Sequence, residues 1–176
     1  EPRELTAEEQ EMGQFVSVVL ADNEDVWNRV LPEQANVDYR DPSLVMFSGV
    51  VNSACGTAQS AMGPFYCPND QKIYLDTDFF RTMSQRMGAG GDFAYAYVIA
   101  HEVGHHVQNQ LGILEQSMAA RQRSDQGTAN RISVLTELQA DCFAGIWARQ
   151  ANEQFGSLEP GDIEEAISAA EAVGDD

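Results

Sequence analysis

The stretch that most constrains this chain is residues 92–111, DFAYAYVIAHEVGHHVQNQL. Its first two thirds are largely apolar, and it is bounded by Asp92, a good helix N-cap, and Gly112, a good residue to end on. At the standard rise it predicts a helix of ~30 Å. All three histidines of the chain lie inside it: His101, His105 and His106. An acid and imidazoles in so apolar a helix are costly unless something pairs them.

His101-Glu102-Val103-Gly104-His105 has the pattern H-E-x-x-H. Residues four apart share a helix face, so the His101 and His105 rings can point at one ion. Neutral imidazole suits zinc and other late divalent metals. Glu102 stands at the edge of that face, placed to take a proton from a water held by the metal without being a ligand itself. His106 lies roughly 100° round the helix from His105 and cannot replace it. It reads as a helix-surface imidazole or as a cleft residue.

A catalytic zinc usually has three protein ligands and an open fourth position. The third-histidine pattern needs glycine at 108 and histidine at 111, where this chain has Gln108 and Leu111. With no histidine left, the third ligand is expected to be a carboxylate. The best candidate is Glu137, in TELQADCFAG, on a helix dense in Ile132, Val134, Leu135, Leu138, Phe143, Ile146 and Trp147. Asp141 follows one turn later on the same face. There it can accept a hydrogen bond from the outer nitrogen of a ligand histidine and fix its tautomer.

Elsewhere the pattern is mostly helical with a small sheet. Thr6 and Glu9 form a capping-box pair ahead of a helix over 7–31, which Pro32 is expected to end. Residues 44–51 read as one strand, and PFYCPNDQKIYLD as two short strands around a turn. Helices follow over 77–87, 113–123 and 128–155, with a last one in GDIEEAISAAEAVG. At 176 residues and 43% hydrophobic content this is one α+β domain over 1–176, with a core of ordinary size.

Charge narrows the partners. With 28 acidic and 10 basic residues the net charge is −18, which repels nucleic acid and anionic lipid. No apolar run approaches the ~20 residues of a membrane span, and no signal peptide is evident, so a soluble protein or a soluble piece of a longer one is expected. The spacing of Cys55 and Cys67 suits a local disulfide, which is favoured over two free thiols. Cys142 reads as a small buried hydrophobe.

Taken together, AYVIAHEVGHHVQNQLG, SVLTELQADCFAGIWA, ACGTAQSAMGPFYCPNDQKIYLD and the terminal AVGDD resemble the bacterial neutral zinc metallopeptidases, over about residues 44–176. H-E-x-x-H followed by E-x-x-x-D is also similar to the gluzincin arrangement, including membrane-associated zinc endopeptidases. The resemblance implies a zincin-like domain with a small antiparallel sheet packed on the active-site helix. It implies His101, His105 and Glu137 as zinc ligands and Glu102 as the catalytic base. It also implies an extended peptide substrate pairing with KIYLD as an edge strand, with GPFYCP as a wall of the cleft. Family members commonly carry an N-terminal membrane anchor and a segment beyond GDD, so a trimmed or shortened relative is expected here. Its expected location is outside the cytoplasm, with any membrane contact through such an anchor.

Peptide hydrolysis also needs a donor for the oxyanion. Tyr66, Tyr74, Tyr95, Tyr97 and Arg131 are the candidates, with His106 as a substrate contact. If the donor lies in a missing segment, the chain is a weak enzyme. The alternative reading is a zinc-holding binding or chaperone-like module with lost proteolysis. The intact Glu102 argues against it. A site plugged by a chain terminus for regulation is a third.

Overall fold

The computed structural model describes residues 4, 6–59, 63–87, 91–155 and 164. Its elements run α1 (Ala7–Ala35), β1 (Ser43–Phe47), β2 (Val50–Ser53), β3 (Gly56–Gln59), β4 (Phe65–Cys67), β5 (Lys72–Asp76), α2 (Thr77–Met87), α3 (Gly91–Gln110), α4 (Ile113–Gln122) and α5 (Gln126–Phe155). The chain is thus mostly helical with small sheets, an α+β arrangement. No described helix is long and apolar enough to cross a membrane. The helix expected in GDIEEAISAAEAVG lies outside the described residues except for Glu164, which is helical.

The central element is α3. Ala94, Tyr95, Val98, Ile99, Val103 and Val107 are all buried along it, on more than one face. A helix apolar nearly all round needs cover on every side. Helix α5 packs on it most extensively, with α1, α2, α4 and β4 covering the rest. Trp27 of α1 meets Phe143 of α5 edge to face at 5.4 Å between ring centres, and Trp147 is buried beside Phe93 of α3. Burying each such side chain is worth about 1.5–3 kcal/mol.

Gly104 sets how closely α3 and α5 approach. A β-carbon there would stand 2.9 Å from the Ala140 carbonyl oxygen and 3.3 Å from its Cα. The bare backbone at 104 lets the helix carrying both motif histidines rest directly on the helix carrying Glu137 and Asp141.

Several expectations need correcting. Helix α1 passes through Pro32 and ends at Asn36, whose left-handed backbone (φ 55°) caps it. Pro32 lacks only the hydrogen bond it would donate one turn back, and its ring sits on an exposed flank. Residues 44–51 are two strands, because Gly49 (φ 82°) turns the chain between β1 and β2. Asp92 falls inside the first turn of α3.

The main sheet is mixed, in the order β1-β5-β4, with β1–β5 parallel and β4–β5 antiparallel; the antiparallel pair β2–β3 is separate. The KIYLD segment is therefore the middle strand, with Ile73, Tyr74, Leu75 and Asp76 buried, and offers no free edge. β1 and β4 are the edges.

The Cys55–Cys67 disulfide is formed, tying the β2–β3 turn to the end of β4. Cys142, however, is exposed. It lies with Leu135 and Leu138, 64% and 56% exposed, on the outer face of α5, three and seven residues along the same stripe. The side of α5 that faces α3 is instead lined by the small residues Ala140 and Ala144.

Candidate metal centre

The two motif histidines leave α3 one turn apart, and Glu137 meets them from α5. One ligand atom from each of His101, His105 and Glu137 lies within 4.8 Å of the others. His101 Nε2 stands 2.9 Å from Glu137 Oε2, and His105 Nε2 stands 3.3 Å from the same oxygen. The rings cross at 88° with centres 4.8 Å apart. Both imidazoles are nearly buried, while Glu137 is partly open.

The outer nitrogens are held too. His101 Nδ1 lies 2.7 Å from Asp141 Oδ1, so a carboxylate accepts the Nδ1 proton. Tyr97 donates its hydroxyl to the same Asp141 oxygen at 3.1 Å. For His105 the partner is Gln108, one turn on in α3. Gln108 Nε2 donates to the Thr136 carbonyl at 2.8 Å, and a carbonyl can only accept. That orientation turns Gln108 Oε1 toward His105 Nδ1 at 2.8 Å, so His105 carries its proton on Nδ1. Gln108 also donates to Gln139 Oε1 and is fully buried. One amide thus orients a histidine and grips α5 at the residue beside Glu137.

The fit to a cation follows. With both Nδ1 atoms protonated, the neutral rings aim two Nε2 lone pairs at a carboxylate oxygen. Such a convergence is repulsive unless a proton or a metal ion sits within it. Two nitrogens and one oxygen with these separations suit zinc, whose ~2.0–2.1 Å bonds in a tetrahedral site set ligand atoms about 3.4 Å apart.

Without a metal, protons take that place. Burial alone would lower the His101 pKa, but the hydrogen bonds to Asp141 and Glu137 overcome it and push it up to about 10. His105 is also raised, by Glu137 against the effect of burial. Glu137 is held down at about 2: burial would raise it, but the two histidines outweigh burial. Glu102, 4% exposed, is raised chiefly by burial, with the neighbouring histidines opposing.

The other candidates separate. Tyr66, on β4, lines a cavity together with His105 and Glu137, as does Pro68. Its hydroxyl lies 2.6 Å from His106 Nδ1. Tyr97 is turned to Asp141 instead of the cleft. Tyr74 donates to Asp70 at 2.5 Å and stacks on Phe65, in the smaller core cluster with Phe47 and Cys67. Tyr95 is in the main core. Arg131 is exposed on α5, reaching only Thr128 among the described residues.

His106 is no surface residue. It is fully buried, with Nε2 donating to the Arg40 carbonyl at 2.6 Å and Nδ1 accepting from Tyr66. The helix phase that turns it from the metal face turns it into the core beneath β4.

Gly104, Gln108 and the Tyr97–Asp141 contact are evident only once α5 lies against α3. Gln108 carried one usable signal, lying three residues after His105 and so over the same face.

The family whose description is "Putative neutral zinc metallopeptidase" matches residues 2–176. The chain is 49% identical over 174 residues to uncharacterized protein YpfJ of Escherichia coli K12, covering 99% of this chain and 60% of that one. It is 47% identical over 161 residues to uncharacterized protein Rv2575 of Mycobacterium tuberculosis H37Rv, covering 86% of this chain and 52% of that one. It therefore spans about half to three fifths of these relatives' length. No solved structure matches it. Its helix-borne His101, His105 and Glu137 thus accompany a match along almost the full length, and the chain belongs to the neutral zinc metallopeptidase family.

Proposed function

We propose that this chain is a zinc-dependent peptidase of gluzincin type with a zincin-like fold. The observation that carries this is the convergence of His101, His105 and Glu137 beside a nearly buried, unliganded Glu102. His101, His105 and Glu137 would hold zinc, with Asp141 and Gln108 fixing the two imidazoles. Bound zinc supplies Lewis acidity toward a water and toward the scissile carbonyl.

Glu102 is the general base. It accepts the proton of the attacking water and delivers it to the departing amine. Its burial makes its carboxylate more basic than an exposed one, which suits it to that transfer near neutral pH. Gly104 and Gln108 keep α3 and α5 at the spacing this requires.

An extended peptide or protein substrate would lie along β4, the sheet edge nearest α3, instead of β5. Tyr66 and Pro68 of that segment share a cavity with His105 and Glu137, which supports GPFYCP as a cleft wall. The Tyr66 hydroxyl proton is committed to His106, so Tyr66 acts as an oxyanion donor only by releasing that bond. The disulfide supports a location outside the cytoplasm.

The test is cleavage of unfolded casein by the wild type and Glu102→Gln, with zinc content measured on both. The proposal expects zinc in both and cleavage only by the wild type. Zinc in both with cleavage by neither would refute it for this chain and favour a zinc-holding binding module.

A further inference from the structure

The cavity that His105 and Glu137 share with Pro68, Leu114, Arg121 and Ser133 holds a group that hydrolysis does not use. It encloses ≈ 280 Å³, near the small end of ligand pockets, which start at about 300 Å³, and suits a single side chain or chain end. Arg121, in the last turn of α4, brings the cation. Its Nη1 donates to Ser133 Oγ at 3.1 Å, so the guanidinium is anchored to α5. Its Nε is buried with no acceptor among the described residues.

No carboxylate among the described residues stands within ion-pair distance of Arg121. Glu137, the acid in the cavity lining, is turned to the two imidazoles. With Nε closed off, the outer Nη edge is the part of the guanidinium that can meet a ligand, and its planar fork matches a carboxylate. Leu114 and Pro68 add apolar lining to the same cavity.

Resting on the peptidase reading above, we propose that Arg121 makes this cavity a carboxylate subsite beside the metal centre. The chain then prefers peptides that place a carboxylate next to the scissile bond, either a free C-terminus or an acidic side chain.

Matched peptides separate the two sources: one series pairs Glu with Gln at each position around the cleavage site, and the other pairs a free with an amidated C-terminus. Binding is measured by fluorescence anisotropy to zinc-loaded Glu102→Gln protein, which needs no turnover, and repeated with Arg121→Gln and Arg121→Lys added. The expectation is about 10- to 100-fold tighter binding of the carboxylate member in one series. Arg121→Gln should bring the pair within about twofold, while Arg121→Lys keeps part of the preference. Equal or undetectable binding of both members in both series, or a preference that survives Arg121→Gln, overturns the proposal. Failure to cleave casein would sink the peptidase reading yet leave a carboxylate preference of this kind measurable.

Discussion

Gly104→Ala adds one carbon where α3 and α5 touch. That carbon would lie 2.9 Å from the Ala140 carbonyl oxygen, and ordinary contact begins near 3.4 Å. The opposing atoms are the Ala140 backbone and the Phe143 β-carbon, none of which can swing away, so the helices must separate by roughly 0.5 Å. Overpacking of this kind costs about 1–3 kcal/mol, which in a domain of this size is a loss of roughly 2–12 °C in Tm. The same displacement moves Glu137 relative to His101 and His105. Metal sites tolerate only about 0.2 Å in ligand distance, so zinc affinity should fall about tenfold or more. Gly145→Ala is the control: it lies on the same α5, with nothing within 4 Å of the added carbon, and should be neutral or slightly stabilising. The assays are thermal unfolding of metal-free protein and zinc competition against a chromogenic chelator. Wild-type Tm and zinc affinity in Gly104→Ala would refute the close-approach reasoning.

Gln108→Ala frees the His105 ring and the α5 backbone at Thr136, and should lower zinc affinity about 10- to 100-fold in the same competition assay. Zinc binding at pH 7 should release at least one proton, because His101, held up to about 10 when metal-free, and His105, also raised, must both be neutral to bind; affinity should rise about tenfold or more per pH unit above 7. His106 is depressed by burial, so between its folded and unfolded pKa the unfolded state binds more protons. Its contribution to stability is present above about 6.5 and lost as pH falls, so the stability gap between wild type and His106→Gln should shrink in urea titrations from pH 7 to 5.

The grouping of His101, His105 and Glu137 is legible in the sequence because helix geometry does the placing. Residues four apart must share a face, so the sequence alone pairs His101 with His105 and Glu137 with Asp141. Once two faces carry such groups in an apolar setting, they have to meet. What escaped depends on contacts between elements. Gln108 and Gly104 look ordinary until α5 is laid against them. Cys142, expected to be buried, lies on the outer face of α5 with Leu135 and Leu138, since a helix rich in apolar residues on several sides does not declare which side is buried. The place of β5 was missed because its parallel partner β1 lies well upstream, and no local pattern encodes that pairing. His106 points away from the His101–His105 face, and because the rest of α3 is covered too it is buried instead of exposed.

The central claim is that Glu137 is a zinc ligand and Glu102 is not. Its most direct test is the zinc affinity of Glu137→Gln beside that of Glu102→Gln, each against wild type. The structure predicts a large loss for Glu137→Gln, whose carboxylate both imidazoles face, and near wild-type affinity for Glu102→Gln. Equal losses in the two variants, or zinc held at full strength by Glu137→Gln, would contradict it.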